Sequence, residues 1–151
     1  MELSKRLLAV ASLVTPGSIV ADIGTDHGYN THLAGQKDPA VKLIAMDVNE
    51  GPLERAREHI LAEGLSDRID LRLSDGFSAL DPGEVHTIIA AGMGGGLVIH
   101  ILEANPAVTD SVQEFILSPS LRSRGFGLIW REKATPLCGK RWWKRMESTT
   151  P

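Results

Sequence analysis

The chain has 151 residues, 42% of them hydrophobic and 23% charged, which excludes a disordered or collagen-like polymer and suits one globular domain over residues 1–151. Cys138 stands alone and no Cys/His group has zinc-ligand spacing, so the expectation is a reducing, cytoplasmic setting with no internal disulfide and no metal. The net charge of −3 is uneven: residues 1–120 carry 8 Lys+Arg against 17 Asp+Glu, and residues 121–151 carry 8 against 2, leaving a basic final segment that suits a polyanion.

Lys5-Arg6 and the apolar run Leu7–Val14 resemble a short signal peptide. Leu3, Leu7, Val10 and Val14 nevertheless recur at helical spacing, and Pro16-Gly17 stops the run, so a first helix is the better reading. No apolar stretch approaches the eighteen or so residues of a membrane span. Ser18–Ile23 reads as a buried strand entering a glycine-containing turn. A second strand, Val41–Met46, ends at Asp47. Asn49 stands where a cap is expected, Pro52 fits the first turn of the next helix, and Leu53, Ala56, Ile60 and Leu61 predict its apolar face before Gly64 ends it.

Arg68–Leu73 alternates as a third strand and leads into Ser74-Asp75-Gly76. Val85–Ala91 is a continuous apolar strand ending in Gly92-Met93-Gly94-Gly95-Gly96, then a helix carrying Leu97, Ile101 and Leu102, then a strand over about Glu114–Leu117. Strands alternating with helices predict a doubly wound α/β fold, a mostly parallel sheet with helices on both faces. Ligands of such sheets bind beyond the carboxyl ends of the strands, near the switch in strand order. Asp22, Asp47, Asp75 and Gly92–Gly96 all fall there.

The charges of the first turn, Asp22-Ile-Gly24-Thr-Asp26-His27-Gly28-Tyr29, select among adenosine cofactors. A pyrophosphate on that turn meets two carboxylates, Asp22 and Asp26, an unfavourable pairing. S-adenosylmethionine (SAM) has no phosphate and carries an ammonium and a sulfonium, which carboxylates attract. Gly24 and Gly28 allow close backbone approach. Asp47 suits the two ribose hydroxyls, a role common to NAD and SAM sites, and Asp75-Gly76 suits the adenine edge, with Asp75 accepting from the exocyclic amine. His27 and Tyr29 either line the reaction site or pack the helix start. His32, His59, His86 and His100 are scattered and read as packed or solvated. At Gly92–Gly96 no side-chain acceptor is offered, so a substrate would approach bare backbone, with Met93 packing on a flat ring.

The segments 22–29, Asp-Val-Asn-Glu-Gly-Pro-Leu (47–53), Asp75-Gly76, Ile-Ala-Ala-Gly-Met-Gly-Gly-Gly (89–96) and Leu117-Ser-Pro119 resemble the bacterial tRNA (adenine(22)-N1)-methyltransferases across residues 3–120. The resemblance implies a Rossmann-like class I methyltransferase that uses SAM to methylate adenine N1 in tRNA. By position, Asp22, Gly24, Asp26, His27, Gly28, Asp47, Asn49, Asp75, Gly76 and Gly92 would line the cofactor. Tyr29, Met93, Gly94 and Gly95 would face the target base, with Asp26, His27 and Met93 as the catalytic candidates, Asp26 or His27 taking a proton from the exocyclic amine after transfer.

The sequence departs from the family at Asn30-Thr31, where Leu-Pro is usual, and residues 119–151 read as a shortened or diverged part without the family's C-terminal helical domain. Gly139–Trp143 loosely resembles its final antiparallel strand. Basic residues around Trp142-Trp143 suit phosphates and stacked bases, or a strand pair with core tryptophans. The alternatives are a catalytically impaired SAM-binding remnant of the family and, on fold analogy alone, a dinucleotide-dependent oxidoreductase.

Overall fold

The computed structural model describes residues 2–25, 34, 38, 42–118 and 130–133. Helix α1 (Glu2–Ser12) leads to β1 (Ile19–Ile23) and β2 (Lys42–Asp47), then α2 (Glu50–Ala62), β3 (Ile69–Leu73) and β4 (Thr87–Ala91). Helices α3 (Gly95–Ala104) and α4 (Pro106–Ser111), β5 (Glu114–Ser118) and β6 (Trp130–Lys133) complete the described elements. The strands form one sheet in the order β3-β2-β1-β4-β5-β6. Every pairing is parallel except β5 with β6. The doubly wound, Rossmann-like architecture expected from the alternation is therefore the one formed.

Each central strand is apolar on both sides because both faces of the sheet are covered. Ala21, Ile23, Ile44, Met46, Ile88, Ala90, Phe115 and Leu117 join one cluster with Val98, Ile101 and Leu102 of α3 and Val108 of α4. Val20, Leu43, Ala45, Ile89 and Ile116 join the other with Val10 of α1, Ala34, and Ala56 and Ile60 of α2. The period-two alternation along β1, β2, β4 and β5 divides these residues between the faces.

Several local expectations shift. Helix α1 closes at Ser12, so Val14 packs on the core from the following turn. Leu61 is 70% exposed and Leu97 is 52% exposed. Leu53, Ala56 and Ile60 already fill the inward stripe of α2, and Leu61 lies one step, or about 100°, around the helix from Ile60. Leu97 is likewise one residue from the inward Val98 of α3. The end of α2 is as read: Leu65 N–H donates to Ile60 O at 3.0 Å and Gly64 N–H to Leu61 O at 3.2 Å, the paired bonds of a Schellman cap.

Strand β4 begins at Thr87 rather than Val85, and His86 just before it joins β4 to β1. Its N–H donates to Ile19 O at 2.9 Å, and its Nδ1 accepts from Ile19 N–H at 3.0 Å. Two further elements were not anticipated. Helix α4 starts at Asn105-Pro106, with the Asn105 side chain accepting from Val108 N–H at 3.4 Å and Pro106 in the first turn; that pair is a start signal in plain view. Strand β6 supplies the antiparallel edge at residues 130–133. The segment 139–143 read as such a strand lies outside the described residues. Among the described residues no helix is long and apolar enough to cross a membrane.

Candidate functional site

Strand β1 pairs with β2 on one side and β4 on the other, while the chain passes from β3 at one edge across to β4. The direction of winding reverses between β1 and β4, and the crevice of a doubly wound sheet opens there at the carboxyl ends. Ile23, Asp47, Leu73, Ala91 and Ser118 end the five parallel strands on that edge.

After β1 the chain turns at Gly24, with φ of 67°, and Thr25 N–H donates to Met46 O at 2.9 Å, tying the turn to β2. Asp22 is fully buried, and one of its carboxylate oxygens accepts from Thr25 Oγ1 at 3.1 Å. Asp22 thus shapes the turn from behind. Asp26, His27, Gly28 and Tyr29 lie outside the described residues.

At the end of β2, Asp47 is 8% exposed. Its Oδ1 accepts from Asn49 N–H at 2.9 Å, and its main-chain oxygen accepts from Ser74 N–H at 2.9 Å, linking the ends of β2 and β3. Asn49 occupies the N-cap position of α2, but its side chain makes no cap bond there. The Asp47 carboxylate takes the Asn49 N–H instead. Between them Val48 is 59% exposed, an apolar surface beside a carboxylate. It was not singled out in the sequence, although an apolar residue directly after a strand-ending acid is the available signal.

Asp75 is exposed at the end of β3, and its N–H donates to Ser78 Oγ at 3.0 Å. Buried Ser74 organises this turn: its Oγ donates to Gly76 O at 2.8 Å and accepts from Ala79 N–H at 3.1 Å. Arg72 braces the connection from below. Its Nη1 donates to Ala79 O at 2.9 Å, Nη2 to Glu84 Oε1 at 2.6 Å and Nε to Asp70 Oδ2 at 2.8 Å. The hydrogen bond to Glu84 is the chief reason the guanidinium is held well above its ordinary pKa. The same bond, helped by Asp81 N–H, lowers that of Glu84. Ser74, Ser78 and this clamp are the parts of the site that sequence reasoning missed, because their value lies in contacts rather than in spacing.

Beyond β4, Gly92 N–H donates to Ser118 O at 2.9 Å. Gly94 is the N-cap of α3 and no side chain caps that helix. A Cβ on Gly94 or Gly96 would meet no atom within 4 Å, so the loop leaves open space above its backbone. Met93 is half-buried against the core and lies beside Gly24. The edge therefore gathers Asp22, Gly24, Asp47, Asn49, Asp75, Gly76 and Gly92–Gly95. His86 serves the sheet at its opposite end.

A second concavity, an open cleft of ≈ 670 Å³, lies toward the amino ends of β1–β3 among Lys42, Arg68, Asp70, Arg72 and Glu84. Its arginines are engaged internally, Arg68 donating to Asp38 O at 2.8 Å and Arg72 as above. Despite its volume, this cleft has no convergence of ligand-binding groups comparable to the carboxyl edge. Among the described residues no group of His, Cys, Asp and Glu could hold a metal ion.

Residues 3–126 match the family model of a methyltransferase domain. The chain is 37% identical over 123 residues to the tRNA (adenine(22)-N(1))-methyltransferase of Bacillus subtilis, an alignment covering 82% of this chain and 52% of that protein. It is similar to the structure of Streptococcus pneumoniae Sp1610 in complex with S-adenosyl-L-methionine, with a TM-score of 0.71, 38% identity and coverage of 78% of this chain and 56% of the other. M. capricolum TrmK in complex with S-adenosyl-homocysteine gives a TM-score of 0.69 at 27% identity, covering 77% of this chain and 51% of the other. The chain spans about half the length of these relatives. With 124 of its 151 residues inside that family model, on a sheet whose carboxyl edge carries the expected carboxylates and glycines, the chain belongs to the methyltransferase-domain family.

Proposed function

We propose that this chain is a SAM-dependent methyltransferase domain that transfers a methyl group to N1 of an adenine in tRNA, at the position named by its Bacillus subtilis relative, adenine 22. The observation that carries the reading is the placement at the carboxyl edge: Asp47 and Asp75 follow the neighbouring strands β2 and β3, on the same edge as the Gly24 turn and the glycine segment after β4, where Gly94 and Gly96 leave open space. The donor set fits SAM. Asp47 offers a carboxylate at the end of β2, with exposed Val48 as an apolar surface for a purine ring, and Asp75 offers an exposed acceptor at the end of β3. A pyrophosphate on the first turn would meet the carboxylates of this edge, which weighs against a dinucleotide.

In this reading Gly24, Asp26, His27, Gly28, Asp47, Asn49, Asp75, Gly76 and Gly92 hold the cofactor, fully buried Asp22 supports their turn through Thr25, and Tyr29, Met93, Gly94 and Gly95 face the base. SAM supplies an electrophilic methyl on a sulfonium. Adenine N1 carries an in-plane lone pair, so the protein need not create a nucleophile. Its work is to align that lone pair and exclude water. The bare backbone at Gly94 and Gly96 admits a flat base at close range. N1 is hidden in stacked or paired RNA, so the nucleotide turns out of its stack to reach the loop. Asp26 or His27 takes a proton from the exocyclic amine after transfer. The basic segment 121–151 contacts tRNA phosphates without choosing sequence, and the single cysteine suits work in the reducing cytoplasm.

Incubation with labelled SAM and unmodified tRNA tests this directly. N1-methyladenosine at one position is expected, and its absence under conditions where a full-length relative is active refutes the activity. SAM affinity by calorimetry with a blank labelled assay instead identifies a SAM-binding domain without turnover.

A further inference from the structure

Strands β1 and β4 pair as far as Ile23 with Ala90. Beyond that pair the chains diverge, one into the Gly24 turn and the other into the Gly92 loop, and each is tied outward. Thr25 N–H bonds Met46 O of β2 at 2.9 Å, and Gly92 N–H bonds Ser118 O of β5 at 2.9 Å. Divergence of two parallel strands leaves a wedge-shaped gap between them. The Met93 side chain reaches from the Gly92 loop to Gly24 across its base. A Cβ placed on Gly24 would stand 3.0 Å from Met93 Sδ, 3.3 Å from Cγ and 3.9 Å from Cε, so three successive atoms of the thioether chain lie over Gly24. Met93 also packs against the buried cluster that contains Ile23, Ala90 and Val98.

An unbranched, polarizable side chain with three rotatable bonds suits an irregular gap of this kind. The absence of a Cβ at Gly24, whose φ of 67° favours glycine in any case, lets the two segments come together. In-line transfer between a donor held on one side and an acceptor held on the other is sensitive to displacements of tenths of an ångström, and a misplacement of about 1 Å can cost roughly 100-fold.

We propose that Met93 is a positioning residue: wedged against Gly24, its side chain sets the separation between the turn that holds the methyl donor and the loop that faces the acceptor. The inference rests on the methyltransferase reading and adds, to the place of Met93 on the side facing the base, a role through Gly24 that needs no contact with the reacting atoms.

The test uses the full chain as wild type, Met93→Ala, Met93→Leu, Gly24→Ala and the Gly24→Ala/Met93→Ala pair, with SAM affinity and tRNA methylation measured separately. Met93→Ala is expected to lower kcat by about tenfold or more with KM for tRNA within about threefold, whereas Met93→Leu, of similar volume, keeps kcat within about threefold. Gly24→Ala pushes on Met93, so its loss of SAM affinity is expected to be several-fold smaller in the Met93→Ala background than in wild type. Wild-type kcat in Met93→Ala overturns the proposal, as do additive losses of SAM affinity. A Met93→Leu variant as impaired as Met93→Ala also overturns it, since the sulfur itself would then be acting on the substrate. A wild-type chain that binds SAM but methylates no tRNA defeats the tRNA reading, and the affinity cycle still decides the Met93 contact.

Discussion

Replacing Gly76 by alanine is expected to destabilise the protein by about 2–5 kcal/mol, from two separable causes. Gly76 adopts φ of 57°, and a non-glycine residue in that left-handed region costs roughly 1–2 kcal/mol. The new Cβ would also stand 3.1 Å from Ile101 Cγ2 and 3.2 Å from Cγ1. Those atoms belong to the branched root of a side chain only 8% exposed in α3. They yield only if the rotamer or the helix shifts, an overpacking cost of about 1–3 kcal/mol. Urea unfolding followed by circular dichroism, with linear extrapolation at constant m, measures the sum. Repeating the substitution in an Ile101→Ala background removes the crowded methyl and methylene groups, and the increment due to Gly76→Ala should fall to the backbone part, about 1–2 kcal/mol. A total below about 0.5 kcal/mol, within the usual range for surface substitutions, or an equal increment in both backgrounds, refutes the close approach of the β3 turn to α3.

Two further outcomes are expected. Asp47→Ala removes the carboxylate at the end of β2 and should weaken SAM by about 10-fold to 100-fold, the range for one or two hydrogen bonds to a charged group; unchanged affinity by calorimetry removes Asp47 from the ribose role. The Glu84 carboxyl is held below its ordinary pKa, first by the Arg72 hydrogen bond and then by Asp81 N–H. Its contribution, roughly 1 kcal/mol for a partly exposed pair, is present at neutral pH. It is lost as the pH falls from the ordinary glutamate range through the lowered folded-state value. Glu84→Gln should therefore narrow the stability difference between pH 7 and pH 3, and an unaltered difference means the clamp contributes nothing measurable.

Much of the candidate site's placement was legible because its residues are constrained by type. Carboxylates and glycines at strand ends follow directly from where each apolar run stops, and Asp22, Asp47, Asp75 and Gly92 were placed on that basis. The supporting contacts were not legible. Ser74 and Arg72 act through partners four to twelve residues away, in Ser78, Ala79 and Glu84, and nothing in their local spacing marks them. Asn49 illustrates the difference between position and contact. It takes the N-cap place expected of it, yet the carboxylate of Asp47 accepts its N–H and its own side chain caps nothing.

The amino-acid sequence by itself determined the element types and their alternation, since apolar periodicity and glycine stops depend only on neighbours along the chain. It also determined the chemistry available at the carboxyl edge. Only the tertiary structure decided the order β3-β2-β1-β4-β5-β6 and the reversal between β1 and β4, because pairing of distant strands leaves no local trace. It decided that Leu61 and Leu97 face outward, a matter of one helical step in competition with better-placed neighbours. It also set Met93 against Gly24, a contact between residues 69 positions apart in the chain that exists because two strands part at the switch point.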